Sequence, residues 1–328
     1  MAVNFAKIVK QCRIEKPRHF NLADHDPAEC FGLSTDIADV RPILAESIAK
    51  LAEMQQRLFA NGEWAVLIIF QGMDAAGKDS VVKHVMSGIN PQGCVVHAFK
   101  TPSAEELEHD FLWRTAKGVP ARGQTGIFNR SHYEEVLVVR VHPELLAKQK
   151  LPPSITHRNI WENRFKDIRA FEHRLVRNGT LVLKFHLRVS KEEQRKRFLA
   201  RLDEPFKRWK FSQNDLAERE RWDDYMAAYQ ELIRETSTDY APWYVVPADH
   251  KHITWVVVSA AIIEALEKLK VEYPKVSGLA LRELKACRRA LEAEKPKLAR
   301  SRPGRSRLGR SRLGQSRPGK SDRKKSKR

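Results

Sequence analysis

The chain has 328 residues, of which 31% are charged, with a formal net charge of +19 and four cysteines. That length suits one large domain or two small ones, and a domain near 300 residues buries about 75% of its unfolded surface. No apolar run reaches membrane-span length, Met1 to His19 lacks a signal-peptide core, and Cys12, Cys30, Cys94 and Cys287 are too scattered for a metal motif or a disulfide framework. These features exclude membrane-spanning and disulfide-stapled classes and lead us to expect a reduced, cytoplasmic protein. The charge is uneven: Lys297 to Arg328 holds fourteen Lys or Arg and one acid, or +13, which leaves +6 for Met1 to Pro296.

Residues 1–37 have mixed polarity and no clear period, and are expected to form an arm on the surface of the domain. From Pro42 a helix is expected, with Leu44, Ile48, Leu51, Met54 and Leu58 on one face, stopped by Asn61-Gly62. Val66 to Phe70 then forms an apolar, largely β-branched strand. It runs into Gly72-Met73-Asp74-Ala75-Ala76-Gly77-Lys78-Asp79-Ser80, where Gly77-Lys78 opens a helix. Strand, Gly-rich turn and helix in that order suit a phosphate-binding loop. Gly72 and Gly77 let backbone amides turn toward an anion, Lys78 adds charge, and the helix N-terminus points at the same spot. The loop departs from the common pattern in having Asp79 after the lysine, with Ser80 following, and an acid at Asp74. Acids beside phosphate need a cation between them, so Mg²⁺ near Asp74 is expected.

A buried stripe of Val82, Val85, Met86 and Ile89 follows, then a turn at Asn90 to Gly93 and a second strand, Cys94 to Phe99. Ser103 to Glu106 reads as a capping box for a helix that would carry Leu107, Phe111 and Arg114 on one face. A charge there needs either a phosphate or an internal carboxylate. A third strand, Gly126 to Phe128, leads to Asn129-Arg130, and Ser131 to Glu134 again has capping-box spacing. The C-terminal end of a strand just before a helix is where open α/β sheets bind ligands.

Thr156 to Arg177 is expected to be helical and Leu181 to Leu187 a fourth strand. Ser190 caps the next helix, with Phe198, Leu199 and Leu202 as its apolar stripe and Arg197 and Arg201 along its edge. The basic, aromatic segment Pro205 to Phe211 breaks it, and a long helix from Ser212 to about Thr236 completes a lid over residues 190–236. Trp243 to Val246 is the fifth strand, His252 to Lys270 a closing helix, and Leu281, Leu284, Arg288 and Leu291 mark a last amphipathic one. Strands alternating with helices predict an α/β fold: a parallel sheet of about five strands with helices on both faces and a helical lid, over residues 38–296. The tail, 297–328, repeats units such as SRPGR and SRLGR, has almost no apolar content, and is expected to be disordered.

These residues describe phosphoryl transfer, in which catalysis is mostly positioning and charge stabilisation. Lys78 would hold a transferring phosphate, Asp74 would organise Mg²⁺, and Arg130 would neutralise developing charge, with a plain surface ion pair as its alternative. Asn129 stands where many such enzymes keep a metal-binding acid, so Glu134 or Glu135 would supply the charge unless both serve only a helix N-terminus. The lid cations Arg197, Arg201, Lys207, Arg208 and Lys210 would face a polyanion, and His84, His97, His109 and His132 are read as structural.

The segments VLIIFQGMDAAGKDS, NPQGCVVHAFKTPS, FLWR, IFNRSHYEEVLVVRVHP, RFLARLDEPFKRWKFSQNDLAERERWDDYMAAYQ and APWYVVPADHK resemble the polyphosphate kinase 2 family. The resemblance spans about Leu44 to Leu269. It implies a thymidylate-kinase-like P-loop fold with a lid, and Mg²⁺- or Mn²⁺-dependent, reversible transfer of a terminal phosphoryl group from inorganic polyphosphate to a nucleotide without a phosphoenzyme. Carried over by motif, Gly72, Ala75, Ala76, Gly77, Lys78, Asp79 and Ser80 with Asp74 form the phosphate loop. Asn129, Arg130, Tyr133 and Glu134 form a second motif, and Lys100, Arg114 and the lid cations form polyphosphate and nucleotide surfaces. Members restricted to nucleoside diphosphates read Asp-Arg-Ser-Trp-Tyr-Asn-Arg at the second motif. Asn129-Arg130-Ser131-His132-Tyr133-Glu134-Glu135 looks instead like members that phosphorylate AMP, some continuing from ADP to ATP. His252 stands where many members have Trp.

The expected partners are inorganic polyphosphate, adenine nucleotides (guanine being the alternative base) and further copies of the same chain. No membrane is expected, and nucleic acid is expected only non-specifically through the tail. An ATP-dependent nucleoside monophosphate or small-molecule kinase is the alternative enzyme. A nucleic-acid-binding protein acting through the tail is the alternative of another class.

Overall fold

The apolar run before the phosphate loop is the centre of the protein. In a computed structural model that describes residues 3–156 and 159–294, strand β1 (Ala65–Gln71) is buried at every position. It pairs in parallel with β3 (Thr125–Asn129) on one side and β4 (Thr180–Arg188) on the other. The edges are β2 (Cys94–Ala98), which pairs with β3, and β5 (Trp243–Pro247), which pairs with β4. The order is β2-β3-β1-β4-β5, all parallel. Parallel strands need helical crossovers that cover both faces, which is why β1 reads as a continuous apolar run. Helices Ile37–Asn61, Lys78–Val85 and Lys251–Leu269 pack together as one layer, and Ile160–Arg177 packs with Trp222–Thr236 in another. The strand order reverses at β1, between β3 and β4, so the loop after β1 opens into a crevice.

Three local expectations change. The amino-terminal segment is not a surface arm: helix Phe5–Cys12 buries Ile8, Val9 and Cys12, and Phe20, Leu22 and Leu33 join the same core. Ile14 N–H donates to the Trp243 carbonyl at 2.9 Å, so this segment also covers the β5 edge. The helix expected after Ser103 is one capped turn, Ala104–Leu107, and Arg114 belongs to a separate helix, Trp113–Lys117. Asp110 accepts from the Leu112 N–H and turns the chain between them. The long lid helix breaks at Arg221 into Gln213–Glu220 and Trp222–Thr236, and on Lys191–Asp203 the inward residues are Gln194, Arg197 and Phe198 while Leu199 and Leu202 are exposed.

The chain divides into two compact units, Met1–Pro274 and Lys275–Arg328. The second contains helix Gly278–Ala293, capped by Ser277, with Leu281, Leu284 and Leu291 exposed. The basic tail lies outside the described residues. Among the described residues no helix is long and apolar enough to cross a membrane.

Candidate active site

The phosphate loop is built by conformations that few residues adopt. Gly77 has φ +107, and a side chain at Gly72 would place its Cβ 2.7 Å from the Leu187 carbonyl oxygen. Ala75, at φ 62, holds a left-handed conformation without glycine's freedom. Its carbonyl is pinned from below: Arg197 Nη1 donates to the carbonyls of Ala75 (2.8 Å) and Ala76 (3.2 Å), and Nη2 to those of Ala248 (2.6 Å) and Asp249 (2.9 Å). Arg197 is buried and also bonds Glu193, so it supports the loop rather than standing free on the lid. Gln194, one turn away on the same helix, donates to the Asp74 carbonyl at 2.9 Å.

Lys78 lies inside the loop, its Nζ donating to the carbonyls of Gly72 (2.5 Å) and Met73 (3.2 Å). Burial, with Arg130 nearby, pushes its pKa down to about 8, against the pull of Asp74, Glu134 and Asp79. The two acids are each held by the second motif. Arg130 Nη2 donates to Asp74 Oδ1 at 2.7 Å, and Asn129 Nδ2 donates to Asp79 Oδ1 at 2.6 Å. Arg130 sits at φ 65 immediately after β3. Burial opposes its charge, but Glu134 and Asp74 outweigh that and raise its pKa. Gln71 Nε2 donates to Glu134 Oε1 at 3.0 Å, which holds the glutamate on the same side. Ser80 follows on the loop helix, its carbonyl 2.9 Å from His84 Nδ1.

Of these groups, Gly72, Met73, Asp74, Arg130 and Glu134 line a cleft of about 490 Å³ that also takes in Lys100 and Arg114. Arg114 Nη1 donates to the Lys100 carbonyl at 2.8 Å and lies 3.5 Å from Glu106 Oε2, so it has an internal carboxylate and a place in the cleft as well. The cleft is of mixed sign, because Asp215 and Glu218 line it as well as Asp74 and Glu134. Tyr225 O–H donates to Glu218 Oε2 at 2.5 Å.

Other residues named from the sequence go elsewhere. Tyr133 is fully buried, donating to Glu172 Oε1 at 2.7 Å and receiving Lys184 Nζ at 3.0 Å, so it belongs to the core. Glu135 does line the cleft, but it is held there by Arg164 Nε at 3.2 Å and by Gln149. Ser131 accepts from the Tyr133 N–H instead of closing a box with Glu134. Among the lid cations, Arg201 lies 3.5 Å from Asp215, Lys207 is 2.5 Å from Glu204, Arg208 Nε donates to the Leu202 carbonyl, and Lys210 sits 5.0 Å from the Trp209 ring. The histidines are packing groups: His84 stacks on Trp255, His109 on Trp113, and His97 and His132 contact aromatic rings. Gln71, Gln194 and Glu218 escaped the sequence reading. For Gln194 there was a signal, since it shares a helix face with Arg197 at i, i+3.

Among the described residues no three His, Cys, Asp or Glu side chains gather as a metal cage. Magnesium does not require one, because it binds through one or two carboxylates with substrate phosphates and waters. The part-exposed carboxylate of Asp74, beside Asp79 on the same loop, supplies that donor chemistry, so the residues fit the ion.

Comparison with known proteins identifies the family. The family model described as polyphosphate kinase 2 matches residues 35–274. A relative named ADP-polyphosphate phosphotransferase, from Rhodopseudomonas palustris, is 52% identical over 250 residues, covering 76% of this chain and 86% of its own. One named AMP/ADP-polyphosphate phosphotransferase, from Meiothermus ruber, is 42% identical over 267 residues, covering 81% and 96%. The crystal structure of polyphosphate kinase 2 from Arthrobacter aurescens TC1 superposes with a TM-score of 0.77 at 43% identity, covering 87% of this chain and 99% of that one. With its phosphate loop, its second motif and its strand order in place, the chain belongs to the polyphosphate kinase 2 family.

Proposed function

We propose that this chain is a polyphosphate-dependent nucleotide kinase that moves the terminal phosphoryl group between inorganic polyphosphate and an adenine nucleotide, AMP or ADP. The observation that carries this reading is the meeting of Arg130 and Asp74 at 2.7 Å, where the second motif touches the phosphate loop at the mouth of the cleft. An oxygen of the acceptor's terminal phosphate forms a bond to the terminal phosphorus of the polymer. The bridging P–O bond breaks, and the shortened polymer keeps that oxygen. Lys78 and the loop amides hold the phosphates, and Arg130 neutralises charge on the moving group. Lys100 and Arg114 extend the positive surface along the cleft. Asp74, with Asp79 nearby, would hold magnesium, which would supply charge neutralisation for the phosphates. Asn129 and Glu134 replace the acidic and amide pattern of the diphosphate-restricted members, which favours AMP as first acceptor. The four free cysteines favour a cytoplasmic setting, and the chain would work as a homo-oligomer.

The test is to supply AMP and ADP separately with Mg²⁺ and polyphosphate and to rank them by kcat/KM. Formation of ADP from AMP supports the reading. Activity on ADP alone would remove the second-motif argument, and activity on neither would sink the function.

A further inference from the structure

A second cleft, of about 500 Å³, opens at the root of the lid and shares no lining residue with the phosphate-loop cleft. Its walls are Leu22 and Pro27 from the amino-terminal segment, Arg188 and Lys191 at the junction of β4 and the lid, and Trp222 and Met226 from the returning helix. No carboxylate lines it. Among the described residues neither cation has an ion-pair partner within 4.0 Å, and the Arg188 Nε is buried without a hydrogen-bond acceptor. Lys191 Nζ stands 6.0 Å from the Trp222 ring centre. Burial lowers the Arg188 pKa, opposed by Asp26 and Asp249, neither of which reaches it. A buried N–H of a guanidinium without an acceptor is costly, and an anion entering the cleft would reduce that cost. The apolar wall and the size of the cleft suit a small molecule with a flat group.

The cleft is connected to the phosphate loop along two hydrogen-bonded routes. The Lys191 carbonyl accepts from Arg219 Nη1 (2.6 Å), which also donates to Gln194 Oε1 (2.9 Å), and Gln194 Nε2 donates to the Asp74 carbonyl (2.9 Å). On the other wall the Arg188 carbonyl accepts from the Ala248 N–H (2.9 Å), the Ala248 carbonyl from Arg197 Nη2 (2.6 Å), and Arg197 Nη1 donates to the Ala75 carbonyl (2.8 Å).

We propose that this cleft is a second, non-catalytic site for a nucleoside phosphate, with the phosphates between Arg188 and Lys191 and the base against Trp222 and Met226. Its occupant touches the amino-terminal segment and both ends of the lid, and the two hydrogen-bonded routes join its walls to Asp74 and Ala75. Binding here needs no phosphoryl transfer, so this site and the kinase function fail independently.

Calorimetric titration of the full chain with ADP and Mg²⁺, without polyphosphate, should show two binding events. Lys78→Ala should remove or weaken the catalytic-cleft event and leave the second. Arg188→Gln with Lys191→Gln should weaken the second at least tenfold and leave the first. Ala227→Trp fills the exposed wall of the cleft and keeps both charges, so it should have the same effect if the charge variant does not fold. A single event abolished by Lys78→Ala, or a second event unmoved by the cleft variants, overturns the proposal. Pyrophosphate binding the second site as tightly as ADP would overturn the assignment of a base contact.

Discussion

Arg130 Nη2 donates to Asp74 Oδ1 across 2.7 Å, joining the residue that follows β3 to the turn that follows β1. The cation of the second motif and the acid of the loop thus satisfy each other. On the proposed function, a phosphate entering the cleft would compete with Asp74 for Arg130, and Arg130 would compete with a divalent ion for Asp74. Arg130→Ala is expected to lower kcat/KM by roughly 10³ to 10⁵, the range for arginines that stabilise phosphoryl transfer. Asp74→Asn should shift the Mg²⁺ dependence to higher concentration more than it shifts the KM for polyphosphate. Because the two act as a unit, the double variant should lose less than the product of the single losses. Steady-state rates over a Mg²⁺ series separate these effects.

The second loop acid makes a sharper metal prediction. Asn129 Nδ2 donates to Asp79 Oδ1 at 2.6 Å, and Asn129→Asp would set two carboxylates at that separation. Like charges so close cannot both ionise without a cation between them. The variant should melt at lower temperature than the parent in chelator and regain more of its stability on adding Mg²⁺. Equal Mg²⁺ stabilisation of both proteins, measured by thermal unfolding, would contradict this placement of Asp79 and Asn129.

Beneath the second motif, Lys184 Nζ donates to Glu172 Oε2 (2.6 Å), the Tyr133 hydroxyl (3.0 Å) and the Thr236 carbonyl (2.7 Å), and both charged side chains are fully buried. Lys184→Met strands Glu172 and should cost about 3–5 kcal/mol, whereas adding Glu172→Leu should recover much of that loss. Urea unfolding of the single and double variants reads the difference.

His186 on β4 is buried, neither ring nitrogen has a hydrogen-bond partner, and burial with Arg188, His25 and Lys78 nearby pushes its pKa down from 6.5 to about 3. Below pH 6.5 the unfolded chain takes up a proton that the folded chain refuses until about pH 3. This contribution to stability is therefore complete above 6.5 and is lost as pH falls, by about 1.4 kcal/mol per pH unit within that window. His186→Phe, which keeps a ring against Tyr229, should flatten this part of the stability profile in denaturant titrations at stepped pH.

Features set by local chemistry were legible in the sequence. The apolar run at Val66 to Phe70, the two glycines and Lys78 fix strand, turn and helix within one short segment, and the turn at Asn90 to Gly93 and the Ser190 cap stand where their residues predicted. What could not be read depends on distant partners. Tyr133 shares a motif with Arg130, yet the 3₁₀ turn His132–Val136 sends it down to Glu172 and Lys184, residues from a helix and a strand far along the chain. Arg197 looked like one of five lid charges, and only the fold brings the carbonyls of Ala75 and Ala248 within its reach. The amino-terminal segment has no period because its apolar residues meet the core through several short turns rather than one regular face.

The donor is the centre of the account, and ³¹P NMR of one reaction tests it directly. The protein is incubated with AMP, Mg²⁺ and polyphosphate in the complete absence of ATP, beside a second sample in which ATP replaces polyphosphate. The account predicts that the polymer's terminal phosphate signal changes as ADP resonances grow in the first sample, with Lys78→Ala abolishing the change. Growth of ADP only in the second sample would contradict it and leave an ATP-dependent kinase.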